Sequence, residues 1–546
     1  MRPITDVAAE LGLTPDDLVL HGPWMAKVRL GAVRALAARG AAGRIVLVSA
    51  INPTPFGEGK TTVAIGLAQG MRRLGNRVAL ALREPSLGPV FGIKGGGTGG
   101  GRSTVEPSQR INLHFTGDLH AVTAAHNLLA AMIDNAVNFR AEIDLEHRQV
   151  LWRRVLDMND RFLRRTVIGL GGRAHGVPRE DGFDITAASE VMAILCLARD
   201  VADLKARLAR ILVGFDRGGA AVSAGRLGAS GAMAALLADA VLPNLVQSAE
   251  GVPALVHGGP FGNIAHGCNS VIATRTAAAA ADYVVTEAGF GFDLGAEKFF
   301  DIKCRAAGVW PRAVVLVVTT RALKRHGGDR EAKSGGAEGV AAIERGLANL
   351  DRHVASVRAF GFEPVIAINR FASDAEDELA TIERACTERG LRVARAAPFD
   401  GGGEGCEVLA ARVVEACAAP AALPRFLYAL EDDPLDKIAA VARTIYGAAD
   451  VSLSRTATND LARARDLGYG GLPICIAKTQ SSLTDDPTRV GGPSGFTLHV
   501  EQVRIAAGAG YLLPLTGEIV TMPGLPKRPH ALDVDLTEDG EIVGIS

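Results

Sequence analysis

The sequence has no excess of charge of either sign. Its 546 residues carry 59 basic and 60 acidic side chains, for a formal net charge of -1. Proteins that attract nucleic acid or membrane surfaces through a long-range field carry a strong basic excess. We therefore expect neither nucleic acid nor membrane as a partner, and a small anionic ligand would have to be held by a local cluster of donors.

Cysteine and long apolar runs are also scarce. The 7 cysteines are odd in number and none is in a C-x-x-C spacing, which argues against a disulfide framework and a structural zinc site. The longest apolar runs, such as residues 313–318, are the size of a strand, and the first residues lack the apolar segment of a signal peptide. We expect a cytoplasmic protein without a membrane span.

An apolar, β-branched run at residues 44–51 leads directly into the loop Asn52-Pro-Thr-Pro-Phe-Gly-Glu-Gly-Lys-Thr-Thr62. Beyond the loop, residues 63–74 have apolar side chains at helical spacing and end before Gly75. In such a strand, loop and helix, backbone N–H groups and the helix N-terminus can converge on phosphate oxygens. The pattern predicts a phosphate-binding loop.

Two side chains of this loop suit nucleotide chemistry. Lys60 supplies a mobile positive charge, and Thr61 places a hydroxyl where Mg2+ bound to a nucleotide needs an oxygen ligand. The eight-residue phosphate-loop pattern usually begins with Gly, whereas this chain has Thr54. The alternative is a glycine-rich turn that binds nothing, but Gly-Lys-Thr directly after a buried strand favours the phosphate loop.

A second buried strand, at residues 77–82, ends in Arg83-Glu-Pro-Ser86. Because the carboxyl ends of parallel strands border the ligand crevice, Arg83 is expected to face the phosphates. The glycine-rich residues 88–101 follow and contain Lys94. This segment is either a flexible linker or an anion- or substrate-binding loop, and its position after Arg83 favours the loop.

Two further groups of side chains have open interpretations. His114, Asp118 and His120 could bind a metal, although isolated histidines and aspartates more often serve hydrogen bonding. Phe371 and Phe399 each follow a predicted strand and could stack on a planar ring from both sides. The alternative for these two is ordinary core packing.

Repeated strand, turn and helix patterns predict an α/β fold with a P-loop NTPase-like, doubly wound, mostly parallel sheet and two smaller α/β domains. Later strands are expected at residues 254–257, 283–286, 313–318, 364–369, 391–394 and 472–477. Residues 119–245 have mainly helical periodicity, including residues 142–165. We place the nucleotide-binding domain with its helical insertion at residues 1–360, a second domain at 361–425 and a third at 426–546.

No Walker-B pattern with a terminal aspartate is present. Glu287 and Asp301 are the nearest acids, and the sequence assigns neither of them to Mg2+.

Several segments, in this order, closely resemble the formate–tetrahydrofolate ligase family over the whole chain. They are Thr54-Pro-Phe-Gly-Glu-Gly-Lys-Thr-Thr62, Leu82-Arg-Glu-Pro-Ser-Leu-Gly-Pro-Val-Phe-Gly-Ile-Lys94, Ile111-Asn-Leu-His-Phe-Thr-Gly-Asp118, Gly258-Gly-Pro-Phe-Gly-Asn-Ile-Ala-His266, Thr286-Glu-Ala-Gly-Phe-Gly-Phe-Asp-Leu-Gly-Ala-Glu-Lys-Phe-Phe300, Lys478-Thr-Gln480 and Thr521-Met-Pro-Gly-Leu-Pro526.

The resemblance implies ATP-dependent ligation of formate to N10 of tetrahydrofolate through formyl phosphate, giving 10-formyltetrahydrofolate, ADP and phosphate for one-carbon metabolism. It also implies Mg2+ with ATP, activation by a monovalent cation such as K+ or NH4+, and a cytoplasmic homotetramer. The family's ATP-binding positions map to Thr54, Pro55, Phe56, Gly57, Glu58, Gly59, Lys60 and Thr61, with Thr61 as the Mg2+ ligand. Catalytic positions map to Lys60, Arg83, Glu84 and Ser86, and the ring-stacking aromatics to Phe371 and Phe399.

Three positions depart from the family pattern. Phe399 stands where the family often has Trp, Arg102 replaces a common Tyr, and Ser481 stands where Tyr is frequent. These departures concern substrate affinity rather than reaction type.

Two alternative functions remain open at this point. A phosphate-loop ATPase or GTPase acting as a conformational switch would need a Walker-B aspartate. A ligase for another small carboxylate would need a pocket larger than one carbon.

Overall fold

The computed structural model describes residues 1–40, 42–55, 57–139, 143–420, 423–517 and 519–545. The loop residue Phe56 and the first residue of the expected helix at 142–165 lie outside the described residues.

The strands, in chain order, are β1 Leu18–Leu20, β2 Ala26–Val28, β3 Arg44–Ala50, β4 Val78–Leu82, β5 Gly99–Gly100, β6 Ser103–Glu106, β7 Leu145–Val150, β8 Arg154–Leu156, β9 Thr166–Ile168, β10 Arg179–Asp181, β11 Phe183–Ile185, β12 Leu212–Asp216, β13 Ala221–Ser223, β14 Asn244–Ser248, β15 Pro253–Val256, β16 Tyr283–Glu287, β17 Pro311–Val318, β18 Pro364–Asn369, β19 Arg392–Ala396, β20 Asp450–Leu453, β21 Thr497–Ala506, β22 Tyr511–Thr516, β23 Asp535–Leu536 and β24 Ile542–Val543.

The α-helices are α1 Ile4–Glu10, α2 Leu30–Ala38, α3 Lys60–Arg73, α4 Leu87–Pro89, α5 Ser108–Asn112, α6 Asp118–Phe139, α7 Glu190–Leu197, α8 Val201–Arg210, α9 Ser230–Leu236, α10 Val271–Ala280, α11 Arg305–Ala307, α12 Thr320–His326, α13 Gly336–Ala359, α14 Glu376–Glu388, α15 Pro398–Gly401, α16 Glu407–Ala418, α17 Pro434–Val441 and α18 Arg455–Asp466. Single π-helical turns cover Val90–Lys94, Phe292–Ala296, Phe299–Cys304 and Ala442–Tyr446, and short 3-10 turns cover Pro15–Asp17, Arg161–Arg164, Arg173–His175, Thr186–Ala188, Glu404–Cys406 and His530–Leu532.

Within the described part of the chain, one large mixed sheet contains twelve strands. Its order is β1-β2-β14-β15-β4-β16-β3-β17-β18-β19, with β6 beside β14 and β5 beside β6. Neighbouring strands are parallel from β15 to β19 and antiparallel elsewhere. The prediction of an α/β fold around a mostly parallel sheet is confirmed.

Helices cover both faces of this sheet, and β3 shows why its buried part does not alternate between apolar and polar residues. Ile45 and Leu47 lie in one core with residues of α10, such as Ala277. Val46 and Val48 lie in the core of the opposite face with residues of α3. A strand that is buried on both faces has no polar alternation, which accounts for the continuous run from residue 45 to residue 50.

The order of the central strands brings distant segments to one edge. β16 lies between β3 and β4, with Thr286 opposite both Leu47 and Ala81. The loop after β3, Arg83 after β4 and Glu287 at the end of β16 therefore meet at the carboxyl edge of the sheet.

The helix prediction for residues 142–165 was wrong. Leu145–Val150 pairs with β12, and Arg154–Leu156 pairs with β11. The polar residues of β7, which include Glu146, His147 and Arg148, are compatible with a helix as well as with a strand, and pairing with a distant strand decides the conformation. The strand expected at 472–477 is reduced to two isolated bridges, Ile474 to Leu512 and Ala477 to Leu515.

Residues 361–425, expected to form a second domain, contribute β18 and β19 to the large sheet. The domain boundaries remain a prediction. None of the helices that the structure describes combines the length and apolarity needed to cross a bilayer.

Candidate active site

The loop between β3 and α3 depends on glycine at two positions. Gly57 and Gly59 have φ angles of 77° and 67°, in the left-handed region that favours glycine. A Cβ at Gly59 would also lie 2.6 Å from the side-chain nitrogen of Asn369. The loop therefore turns tightly against the end of β18, and α3 begins directly after it at Lys60.

Glu58 holds this loop in shape. Its side chain is buried, and one carboxylate oxygen accepts the backbone N–H of Thr54 at 2.6 Å. The other oxygen accepts the hydroxyl of Thr319, and the Asn369 amide donates to the Glu58 carbonyl at 3.0 Å. Since the side chain and the backbone carbonyl of Glu58 both form hydrogen bonds, this residue serves the loop's conformation. Pro55 is exposed at the tip of the loop.

Glu287 joins the loop helix to the predicted site arginine. The Thr61 hydroxyl donates to Glu287 Oε2 at 2.8 Å, and Arg83 Nη2 lies 3.3 Å from Oε1. Arg83 Nη1 donates to the Pro260 carbonyl at 3.4 Å. The Glu287 side chain is buried, so its charge is balanced by the protein groups around it rather than by bulk water.

Positive charge predominates around this carboxylate. Burial lowers the pKa of Lys60 to about 8; Lys94 and Arg83 lower it further, while Glu287 opposes this shift. The Lys94 ammonium lies 5.8 Å from the centre of the Phe290 ring. A concentration of cations at the mouth of the predicted phosphate loop is suited to binding a polyphosphate or an acyl phosphate.

Glu84 and Ser86 lie beside this cluster, in a second polar group. The Glu84 backbone N–H donates to the Gly258 carbonyl at 2.9 Å, and its buried carboxyl has a pKa raised well above the ordinary value, first by burial and then by Asp118. The Ser86 hydroxyl donates to Asp157 at 2.6 Å. The structure thus unites Lys60, Thr61 and Arg83, and it places Glu84 and Ser86 next to them.

The glycine-rich segment is folded against the predicted aromatic. Gly99–Gly100 pairs with residues 103–104, and the Arg102 N–H donates to the Phe399 carbonyl at 2.8 Å. A Cβ on Gly100 would lie 3.1 Å from Cε2 of Phe399, so glycine allows the backbone to approach the ring. This packing does not fit a flexible linker.

Phe371 and Phe399 follow neighbouring strands at the same edge of the sheet. The Arg370 N–H donates to the Ala396 carbonyl at 2.8 Å, which joins the two segments at their base. Phe399 is 54% exposed and is not a core residue. The Arg321 guanidinium carbon lies 3.9 Å from the centre of the half-buried Phe371 ring. Their role in ring binding stays a prediction.

Asp118 has different partners from His114 and His120, so these three side chains are not arranged as one set of metal ligands. Asp118 forms a buried ion pair with Lys27 at 2.7 Å and accepts the Asn244 amide at 2.8 Å. The two histidines contact each other, with His114 Nδ1 2.8 Å from His120 Nε2. Among the described residues, no three His, Cys, Asp or Glu side chains are grouped as metal ligands.

Sequence reasoning left Glu287 unassigned, although it is the acid that contacts both Thr61 and Arg83. The available signal was its place directly after the strand expected at residues 283–286. It also missed Asp157, the acceptor for Ser86, because the segment around it was predicted to be helical.

Comparison with known proteins identifies the family of the chain. A family profile described as formate–tetrahydrofolate ligase matches residues 1–546. A protein of that name from Myxococcus xanthus is 56% identical over 549 residues, covering 100% of this chain and 99% of the relative. Two others carry the same name: one from Methylobacterium nodulans, 52% identical over 547 residues (100% and 98% coverage), and one from Bacillus pumilus, 50% over 545 (100% and 97%). The chain therefore belongs to the formate–tetrahydrofolate ligase family.

Proposed function

We propose that this protein uses ATP to join formate to N10 of tetrahydrofolate, releasing 10-formyltetrahydrofolate, ADP and phosphate. The family and the names of the relatives support the substrates. The observation within the structure that carries the proposal is the contact of Thr61 and Arg83 with one buried acid, Glu287, at the mouth of the phosphate loop.

The chemistry needs two transfers. Formate is a poor acyl donor, so one of its oxygens first attacks the γ-phosphorus of ATP and ADP leaves. The resulting formyl phosphate is attacked at its carbonyl carbon by the N10 amine; phosphate leaves and the amine loses a proton. In both steps negative charge builds up on phosphate oxygens as a bond to oxygen breaks, and the cationic cluster is placed to stabilise that charge.

In this proposal each residue of the cluster has a defined task. The loop of residues 54–61, through its backbone N–H groups nearest α3 and the Lys60 ammonium, binds the ATP phosphates. The planar Arg83 guanidinium pairs with two oxygens of the acyl phosphate. Glu84 and Ser86 hold the segment that presents Arg83, through the Gly258 carbonyl and Asp157.

The oxygen donors of Thr61 and Glu287 fit a hard divalent cation, because a hydroxyl and a carboxylate lie 2.8 Å apart beside the loop. Mg2+ bound there with ATP would neutralise phosphate charge. Thr61 is the residue that would ligate it, and Glu287 would orient the Thr61 hydroxyl and place a negative charge beside the ion.

Phe371 and Phe399 are the proposed contacts for the folate ring system. The exposure of Phe399 and its place beside the glycine-rich segment support this role. One open face of each ring would give the apolar contact that a planar ligand needs.

The proposal extends to further properties, some inferred from the sequence pattern and composition and others, namely the monovalent cation and the homotetramer, implied by the family resemblance. These are a P-loop NTPase-like core with two smaller α/β domains, activation by K+ or NH4+, and a homotetramer in the cytoplasm without nucleic-acid or membrane partners.

The direct test follows ADP and product together. Purified protein is incubated with Mg-ATP, formate and tetrahydrofolate, and the acid-formed methenyl derivative of 10-formyltetrahydrofolate is measured by absorbance. Equal amounts of ADP and product, formed only with all three substrates, are expected. ADP release that ignores formate and folate would favour a switch, and acetate turning over as well as formate would favour another carboxylate.

A further inference from the structure

Asn52, the residue that opens the phosphate loop, is held by side chains from distant parts of the chain. Its backbone N–H donates to His353 Nε2 at 3.1 Å, and its carbonyl lies 3.0 Å from His326 Nε2. Its side-chain amide donates to Asp293 Oδ1 at 3.0 Å, and its side-chain oxygen accepts the Asn349 amide at 3.0 Å. Asn52 is fully buried, so these contacts set where the loop leaves the sheet.

Asp293 joins Asn52 to a lysine in residues 426–546, the predicted third domain. Lys478 Nζ lies 3.0 Å from Asp293 Oδ2, and both side chains are fully buried. The same ammonium donates to the Thr479 carbonyl at 2.9 Å and to the Ser482 carbonyl. Since an ammonium has three donors, these three oxygens satisfy it, and its charge neutralises Asp293.

A second connection joins Asn52 to Gly491 of the same predicted domain. The Gly491 N–H donates to His326 Nδ1 at 3.1 Å, and the Gly491 carbonyl accepts the Asn349 amide at 2.7 Å. Because His326 Nδ1 accepts this N–H, the ring proton is on Nε2, which donates to the Asn52 carbonyl. Two separate segments of the predicted third domain are therefore connected to one residue of the loop.

The packing leaves Asn52 and Asp293 little room to move. A Cβ at Gly291 would collide with Asp293 Oδ1 and would lie 3.5 Å from the Asn52 Cα. A carboxylate that loses its counter-ion in such an enclosed site is strongly destabilised, so it must take up a proton or move. Loss of the Lys478 charge would thus alter the group that holds the Asn52 side chain.

We propose that residues 478–491 are part of the nucleotide site, because Lys478 holds Asn52 through Asp293 and thereby positions the phosphate loop for ATP. Lys478 is a positioning residue and does not touch the nucleotide. A loop that binds phosphates through successive backbone N–H groups depends on where its first residue is held, since these groups move together. The inference rests on the proposed function, which makes ATP the ligand of this loop.

The experiment measures the Kd of a non-hydrolysable ATP analogue with Mg2+ on the full chain by titration calorimetry. Lys478→Met removes the charge but keeps an unbranched side chain, and the Kd should rise at least about tenfold, because a displacement of about 1 Å in positioned groups can cost ~100-fold. In steady-state assays the ATP KM should rise more than the formate KM. A mere loss of folded protein would lower the rate and change neither KM.

Lys437→Met is the matched control. Lys437 is another fully buried lysine of the predicted third domain, and its ammonium donates to the carbonyls of Leu430 at 2.7 Å, Gly470 at 2.7 Å and Leu472 at 3.0 Å. These partners do not contact the loop residue Asn52. The variant should lower the melting temperature and leave the Kd of the analogue unchanged.

The double variant Lys478→Met/Asp293→Asn tests the route through the carboxylate. It removes both buried charges, and the introduced amide oxygen can still accept the Asn52 hydrogen bond, so most of the lost affinity should return. Asn349→Ala interrupts the second connection and takes the place of Lys478→Met if that variant does not fold. Its Kd for the analogue should also rise.

A wild-type Kd in folded Lys478→Met, or in Asn349→Ala where it takes that place, would overturn the inference while leaving the proposed function intact. An equal loss of affinity in Lys437→Met, or no recovery in the double variant, would overturn it as well. Failure of the wild-type protein to bind the analogue would overturn the proposed function and the inference together.

Discussion

The Thr61 hydroxyl donates a hydrogen bond to Glu287 at 2.8 Å, although 226 positions of sequence separate the two residues. The contact exists because β16, which ends at Glu287, lies between β3 and β4. The same carboxylate is 3.3 Å from Arg83. One buried acid therefore joins the proposed Mg2+ ligand to the proposed formyl-phosphate ligand.

Glu287→Gln should weaken the use of Mg2+. The amide can still accept the Thr61 hydrogen bond but carries no charge, so activity or metal affinity should fall about 10- to 100-fold, as for partners that orient metal ligands. Initial rates against free Mg2+ at saturating ATP measure this change. Asp282→Asn, which alters an exposed acid at the opposite end of the same β16, is the control and should behave as wild type. An unchanged Mg2+ dependence of Glu287→Gln would contradict the metal assignment.

Lys60→Ala should abolish phosphoryl transfer without loss of the fold. Removing one positioned charge from a transferring phosphate costs about 100-fold or more in rate. Thermal stability should be kept, because the change removes a cation that Arg83 and Lys94 repel. ADP formation and the melting temperature are measured together, and Lys333→Ala, at a side chain that is 79% exposed, is the control. A mutant with wild-type activity would contradict the phosphate-loop assignment.

The local parts of the site could be predicted from the sequence. A buried strand, a glycine-containing loop and a helix beginning at Lys60 follow one another in the chain, so their geometry is largely set by neighbours. Glu287 could not be placed in the same way. Its contact with Thr61 depends on which strand lies beside β3, and strand order is decided by long crossovers and by packing on both faces.

The error at residues 142–165 has a related cause. The charged residues of β7 suit an exposed helix as well as an exposed strand, and the partner strand β12 begins only at Leu212. The packing of Arg321 over the Phe371 ring could not be predicted from the sequence either, because the long helix α13 separates α12 from β18 in the chain. In both cases the deciding contact is distant in sequence.

Phe399→Ala should raise the tetrahydrofolate KM by about two- to tenfold, since aromatic stacking contributes about 0.5–1.5 kcal/mol beyond buried area. The ATP KM should change less, because the proposed contacts of the ATP phosphates are in the loop after β3. Steady-state kinetics with each substrate varied in turn separate the two effects. Phe139→Ala, at another exposed aromatic (71%), is the control. Equal increases in both KM values would mean that Phe399 is not a folate contact.

The alkaline limb of the pH profile should depend on Lys60. Burial, Lys94 and Arg83 hold its pKa at about 8, so the free enzyme carries the Lys60 charge below that pH and loses it above. The value of kcat/KM for ATP, which reports the free enzyme, should therefore fall as pH rises through about 8. Bound phosphates favour the charged form and should move the fall in kcat to higher pH.

Lys60→Arg provides the decisive comparison for this limb. The guanidinium stays charged throughout this range, so an active Lys60→Arg enzyme should show no fall in kcat/KM between pH 7 and pH 9. Initial rates across this interval, at subsaturating ATP and saturating formate and tetrahydrofolate, measure the effect. Lys303, whose pKa burial also lowers to about 8, donates to Asn269 and Thr274 in the core. A fall that persists unchanged in Lys60→Arg would assign the titration to a group such as Lys303 and would contradict the role given to Lys60.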